Sequence, residues 1–328
     1  MELVFSIDTG DIVSYPADAV LLKHAGGFHG ADLEVCRVLS RGGVDPDSIS
    51  PGPDQHALVD TAGQLAAPWA IFVGAPTLRK LGYSQIRKFV RAGMAALGQE
   101  LSVCRHLAMT IHGPGFGLDE TESMFSSFQA CVDAVREGAC PKNLERITIV
   151  ERSPGRVERL RQALDAHLRA ESWAQRQGRD FRLLLGPAHQ PQVPIQVAAV
   201  TKPHIFVAMP FAVEMEDVFY YGIQQPVHQA GYLCERVDKT VFSGDIVGRI
   251  LERIQTATAV VADLTGANAN VYLEVGYAWG LGRPTILITK SLSELCFDVR
   301  GHRCLEYRSI KQLEQALERE LASLTCGP

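Results

Sequence analysis

The stretch Val260-Val-Ala-Asp-Leu-Thr-Gly-Ala-Asn-Ala-Asn-Val-Tyr-Leu-Glu-Val-Gly-Tyr-Ala278 decides how this chain is read. It opens as the end of an apolar strand (Ala259 to Ala262), passes through a short polar loop, and continues at helical spacing from Asn270 to Leu281. Strand, loop and helix in that order make one βα unit of a parallel sheet. The same alternation extends in both directions. Upstream lie strand His204 to Ala208, helix Glu214 to Ala230, strand Tyr232 to Arg236 and helix Gly244 to Thr256. Downstream lie strand Thr285 to Thr289, a short strand around Cys304 to Tyr307, and a last helix from Ile310 to Leu324. Ser243 is placed to cap a helix start, and Gly282 followed by Pro284 to stop one. Five strands joined by helices predict a flavodoxin-like five-stranded parallel sheet of order 2-1-3-4-5 with right-handed crossovers.

In such a sheet a ligand binds beyond the carboxyl ends of strands one and three, where the winding reverses. Those ends are Met209-Pro-Phe211 and the loop Asp263 to Asn270, so Pro210, Phe211, Asp263, Gly266, Asn268 and Asn270 are candidate nucleotide-binding residues. Glu274 lies four residues after Asn270 and shares its helix face. One reading makes Asp263 and Asn270 helix caps and Glu274 a solvated residue. The other rests on the apolar company of Val271, Leu273, Val275, Ala278 and Trp279: a glutamate among them is sheltered, and burial raises its pKa and fits it for acid–base or nucleophilic work. Asp245 either complements a helix dipole or binds a ribose, and Phe211 either stacks on a base or staples the next helix.

The first half is also layered α/β. Strands are expected near Leu3 to Ile7, Ala19 to Leu22, Ala70 to Val73, His106 to Ile111 and Arg146 to Val150. Helices are expected near Ala31 to Leu39, Tyr83 to Leu97, Thr121 to Glu137 and Pro154 to Ala170. The pattern breaks between Glu171 and Lys202, around the proline-bearing Gly186-Pro-Ala-His-Gln-Pro-Gln-Val-Pro194, which reads as a connector. Within it Phe181 to Leu185 and Ile195 to Val200 have strand character and are each expected to add an edge strand if they pack. The domain reading is therefore residues 1–170, a connector 171–202, and residues 203–328.

With 46% hydrophobic and 21% charged residues among 328, the chain has material for packed cores. A net charge of -5, with dispersed charges, argues against binding nucleic acid through phosphate neutralisation, while leaving a free nucleotide as a ligand. The N-terminus has neither a basic segment nor a cleavage motif, and no apolar run approaches membrane-spanning length, so a cytoplasmic protein with no membrane partner is expected. The eight cysteines form no CxxC pair; they are read as small core residues, and no metal site is expected.

The C-terminal motifs resemble a known superfamily. Val207-Ala-Met-Pro-Phe211, Gly244-Asp-Ile246, Val260 to Ala278, Gly282-Arg-Pro284 and Phe297-Asp-Val-Arg-Gly-His302 look like the nucleoside 2-deoxyribosyltransferase and TIR-like superfamily over about the last 125 residues. Members cleave the N-glycosidic bond of a nucleoside or of NAD with a glutamate, and the matching position is Glu274. The resemblance implies a NAD(+)-cleaving N-glycosidase with NAD as substrate, no cofactor, and assembly into a homo-oligomer. Asn268 stands where the transferases have an acid, and an amide cannot donate a catalytic proton. That disfavours base transfer and suits nicotinamide, which leaves as a neutral molecule.

In the first half, Thr9-Gly-Asp-Ile12, Ala17-Asp-Ala-Val20 and His112-Gly-Pro-Gly-Phe-Gly117 are similar to the macro domain, a fold that binds ADP-ribose. The resemblance implies a nucleotide site built from Asp11, Ile12, Gly26, Gly27, Gly113, Gly115, Phe116 and Gly117, with Asp11 recognising adenine and glycine N–H groups approaching a diphosphate. The alternative is a set of tight turns beside a surface aspartate. Leu22-Lys-His-Ala-Gly-Gly27 replaces the usual asparagine-rich segment, so ligand binding is expected rather than ADP-ribosyl hydrolysis. Together the halves resemble bacterial anti-phage effectors in which an ADP-ribose-like or cyclic nucleotide signal switches on NAD destruction. The alternatives are a non-catalytic nucleotide sensor that oligomerises, and a nucleoside 2-deoxyribosyltransferase.

Overall fold

A computed structural model of the chain describes residues 1–186, 202–237 and 246–325. It falls into two compact units. The first comprises residues 1–114 and 120–186 of the described chain; the second comprises residues 115–119 and the described residues from 202 onward.

The first unit is built on an eight-stranded sheet. Its strands are β1 (Glu2–Thr9), β2 (Ala19–His24), β3 (His56–Asp60), β4 (Trp69–Gly74), β5 (His106–Thr110), β6 (Arg146–Glu151), β7 (Ala174–Gln177) and β8 (Asp180–Leu184), in the order β3-β4-β2-β5-β6-β1-β8-β7. The five central strands, β4 through β1, are parallel, while β3, β8 and β7 run antiparallel to their neighbours. Side chains alternate across the sheet with period two. Leu3, Phe5, Ile7 and Leu21 face α2 (Tyr83–Glu100), α3 (Glu120–Arg136) and α4 (Pro154–Leu168); Val20, Leu22 and Phe72 face α1 (Ala31–Arg41). Burial on both faces explains why these strands read as unbroken apolar runs.

Two strands escaped the sequence reading. β3, His-Ala-Leu-Val-Asp, is a half-exposed antiparallel edge. β7, Ala-Gln-Arg-Gln, carries no apolar signal and is held by backbone pairing to β8 through a tight turn with Gly178 at φ 66°. The expected strand at Phe181 forms as part of β8, but inside the sheet: Phe181 pairs with Phe5, and β7 takes the edge. The companion expectation at Ile195 to Val200 lies outside the described residues.

The second unit carries the five-stranded sheet, with β9 (His204–Ala208), β10 (Leu233–Glu235), β11 (Ala259–Asp263), β12 (Thr285–Thr289) and β13 (Cys304–Glu306). All pairings are parallel and the order is β10-β9-β11-β12-β13, the 2-1-3-4-5 arrangement the βα repeats call for. Phe206, Ala208, Val260 and Ala262 pack under α6 (Ile246–Thr256) and α7 (Ala269–Gly280). Ile205, Val207 and Val261 pack on the other face, under a π-helical turn (Val218–Gln224), the short α5 (Gln225–Gln229) into which it runs, and α8 (Ile310–Thr325). The helix expected over Glu214 to Ala230 thus starts as a short 3-10 turn and a π turn rather than one regular α-helix. Gly222 fits there because a Cβ would stand 2.8 Å from Leu313 of α8. Leu313, Leu317 and Leu321 recur every four residues along the inner face of α8 and are fully buried. Leu317→Ala is therefore expected to lower stability by about 2–5 kcal/mol, read as a shift in the urea midpoint.

Candidate functional sites

In the second unit, β9 is followed by helices on one face of the sheet and β11 by α7 on the other. The carboxyl ends of these adjacent strands are therefore the place where a crevice opens. Pro210 is half-buried and Phe211 exposed at the exit of β9. At the exit of β11, Asp263 is fully buried: its Oδ1 accepts the Thr265 N–H at 3.0 Å and its Oδ2 accepts the Tyr307 hydroxyl at 2.7 Å. Burial first, then the Asp263 charge and hydrogen bond, push the Tyr307 phenol pKa up, which keeps it a donor. Asp263 so engaged fixes the loop from inside, and a ligand role for it is confined to holding that loop in shape.

The loop then turns through Gly266 at φ 72° and Ala267 at φ 49°. Asn268 is the N-cap of α7, its side chain accepting the Asn270 N–H at 3.0 Å. The cap is thus Asn268 rather than Asp263 or Asn270, and Asn270 is exposed. Glu274, one turn further, is 8% exposed, on the inner side of α7 with Val271, Val275 and Ala278. Its sheltered position matches the reading from its apolar neighbours. Asp245 lies outside the described residues.

Two cations near this crevice were not singled out from the sequence. Arg236 follows β10, with its guanidinium carbon 4.0 Å from the Phe219 ring centroid and 5.2 Å from that of Phe211. Lys290 follows β12, and its Nζ lies 3.7 Å from Met215 Sδ. Neither belongs to a motif; only the sheet order brings them to the same edge.

In the first unit, Asp11, Ile12, Gly26, Gly27 and Gly113 all follow carboxyl ends of parallel strands. Ile12 is 3% exposed and packs in the core under α1, so its side chain is structural. Asp11 accepts the Val13 N–H at 3.0 Å and the Arg152 Nη2 donor at 2.7 Å, so its carboxylate is already engaged by a turn and an ion pair. Gly26, Gly27 and Gly113 have positive φ, as their turns require. Gly115, Phe116 and Gly117, the next residues of the same loop, group with the second unit. There Gly115 and Phe116 bridge to Val237, the Phe116 carbonyl accepts from Arg249 Nε at 3.2 Å, and a Cβ on Gly117 would meet Val237 at 2.9 Å. Backbone pairing and close approach thus constrain Gly115 and Gly117.

The carboxyl edge of the first sheet holds a polar centre that no sequence motif marked. Lys23, at the end of β2, pairs with Asp32 in the first turn of α1, and both are 2% exposed. Asp32 Oδ1 also accepts the Lys23 backbone N–H at 3.2 Å. His112, just past β5, is 3% exposed and stacks edge-on against Phe89 with ring centroids 4.8 Å apart. Among the described residues its Nε2 has no hydrogen-bond partner. Burial, with the nearby Lys23 charge adding to it, lowers its pKa to about 4, so the ring is neutral at pH 7. An unmet buried nitrogen costs about 1–3 kcal/mol. His112→Phe keeps the edge-on ring packing and removes that nitrogen, so it is expected to raise the urea midpoint; an unchanged or lower midpoint would show the nitrogen to be satisfied in solution.

Among the described residues no group of three or more His, Cys, Asp or Glu side chains is placed to hold a metal, and no helix is long and apolar enough to cross a membrane. Cys36, Cys104, Cys131, Cys140 and Cys234 are buried, Cys304 is half-buried and Cys296 exposed; none of these described cysteines forms a disulfide.

No family model matches the chain, and no curated protein matches it. Among solved structures, the chain is similar to an Oceanobacillus iheyensis macrodomain with MES bound (10% identity, 52% of this chain and 99% of that chain, TM-score 0.38). It is similar to a Trypanosoma brucei macrodomain in complex with ADP-ribose (13% identity, 49% of this chain and 68% of that chain, TM-score 0.39). A third is the macro domain of ganglioside induced differentiation associated protein 2 (12% identity, 48% of this chain and 81% of that chain, TM-score 0.37).

Proposed function

We propose that the second unit is an N-glycosidase that cleaves NAD at the nicotinamide–ribose bond, with Glu274 as its catalytic carboxylate. The observation that carries this reading is a sheltered glutamate on the helix that follows the third strand of a 2-1-3-4-5 parallel sheet, beside the switch point. Departure of nicotinamide passes through an oxocarbenium-like state, and a fixed carboxylate in a low-dielectric setting stabilises that positive charge. Nicotinamide leaves neutral, so the amide at Asn268 is no obstacle. Phe211 supplies an exposed ring for a base or sugar at the crevice mouth.

The first unit, in this proposal, binds a nucleotide signal of ADP-ribose-like or cyclic type at the carboxyl edge of its sheet, and the signal gates cleavage, as in an anti-phage effector that assembles into a homo-oligomer. The support is the pairing in one chain of two parallel-sheet edges that each carry polar side chains. Incubating the full chain with NAD, with and without ADP-ribose or cyclic nucleotides, tests it by nicotinamide release; no release under any condition defeats the enzymatic part. A second reading, a non-catalytic nucleotide sensor, is favoured by one observation: Asp263 and Asn268 are both committed to shaping the loop. Intact NAD bound stoichiometrically, without turnover at high protein concentration, would decide for that reading. Base exchange between deoxynucleosides would instead reveal a transferase.

A further inference from the structure

We infer that the outward face of α7 is the surface on which two copies of this chain pair. The inference rests on the proposal that the chain assembles into a homo-oligomer, and it names the surface. A helix on the flank of a sheet normally buries one stripe and turns a charged face to water. α8 does so, with Lys311, Gln312, Gln315 and Arg319 outward. α7 differs: its one charged residue, Glu274, lies on the inner side with Val271, Val275 and Ala278. Outward stand Ala269, Leu273, Gly276 and Gly280, at successive steps of four, three and four residues, so they share one face and carry no charge. Leu273 is 66% exposed, and Leu281, which follows the helix, is 39% exposed. The turn Phe297–Val299 adjoins α7: the Cys296 N–H donates to the Tyr272 hydroxyl at 3.2 Å, and Phe297 is 84% exposed.

The shape of the face selects a second copy as its occupant. Gly276 and Gly280 leave hollows: among the described residues nothing lies within 4 Å of a Cβ built at either position. Two antiparallel copies of α7 related by a two-fold axis pair residues whose numbers have a constant sum. With the axis between positions 276 and 277, Leu273 meets Gly280 of the partner subunit, and half-buried Tyr277 meets Gly276 of the partner subunit. One register thus sets each large outward side chain against a glycine, whose missing Cβ lets helices approach closely. An isologous contact also lays charges near the axis against their own kind, so an uncharged stripe is what self-pairing needs. The area sets the strength. The 12 residues of α7 span about 18 Å, and packed elements lie about 8–10 Å apart, so α7 with the adjoining turn covers roughly 350 Å² per copy. A standard interface takes about 800 Å² per partner, so this contact makes a reversible dimer that forms at micromolar concentration.

Sedimentation velocity of the full chain, from low to high micromolar concentration, is expected to show a monomer passing into a dimer. Leu273→Glu puts a charge into the contact and is expected to raise the dissociation constant about 30-fold, the size of a hot-spot loss. Gly280→Leu fills the hollow that receives Leu273 and is expected to raise it about 10-fold or more. Gly276→Ala separates packing from pairing: alanine is the better helix former, so the urea midpoint of the monomer rises while association weakens. All three positions are exposed, so each variant keeps the fold, read by circular dichroism. Gln315→Glu, which adds the same charge on the outward side of α8, is the control that leaves the dimer unchanged. A dimer that survives both Leu273→Glu and Gly280→Leu overturns the inference while keeping the homo-oligomer; a chain that stays monomeric at every concentration overturns both. Nicotinamide release plays no part in this readout, so its outcome stands whether or not the second unit cleaves NAD.

Discussion

Glu274→Gln is expected to lower NAD cleavage by about 10³-fold or more, which corresponds to roughly 4 kcal/mol of lost transition-state stabilisation. Glutamine keeps the volume and the hydrogen-bonding reach of the side chain but removes the charge that, in the proposed mechanism, would face the developing oxocarbenium ion. The Glu274 side chain is buried on the inner face of α7, and glutamine fills the same volume there, so the variant is expected to keep the fold, read as a cooperative melting transition. Loss of turnover with the fold intact is the signature of a catalytic carboxylate. Loss of turnover together with a large drop in melting temperature would mean that Glu274 holds α7 in place, and unchanged turnover would remove it from the chemistry.

The second large effect concerns the first unit. Removing the Lys23 side chain leaves the Asp32 carboxylate without its buried counter-charge, so Lys23→Met should cost about 3–5 kcal/mol of stability, and Asp32→Leu is expected to be destabilising as well. The double variant should recover much of that loss, because two apolar side chains of similar size need no compensation. Chemical denaturation of the two singles and the double as a mutant cycle gives the coupling directly. Singles that cost under about 1 kcal/mol would show that water reaches the pair. If the parent binds ADP-ribose, as proposed, a recovered double variant that does not would show that the pair is kept for ligand recognition; one that binds as the parent does would assign the pair to the fold alone.

Much of the second unit was legible in the sequence because each βα unit is a local event. Apolar strand, polar loop and amphipathic helix recur between Val207 and Leu324, and the parallel order follows from short right-handed crossovers. The first unit was legible in its central strands for the same reason. It was opaque at β3 and β7, where antiparallel edge pairing depends on backbone hydrogen bonds and a tight turn, and side-chain hydrophobicity carries little of the signal.

The sites divide along the same line. Sequence placed the switch-point loop and Glu274 after the third strand, because both lie on one contiguous βα segment whose periodicity sets the glutamate among apolar neighbours. Only tertiary structure decided that Asp263 is sealed against Tyr307, 44 residues away, and that Asn268 caps α7. It alone brought Arg236 and Lys290 to one sheet edge and Lys23, Asp32 and His112 to another. The physical reason is range: helical and strand periodicity are set by neighbours a few residues apart, whereas the charge, burial and partner of a side chain are set by strands that meet through the sheet.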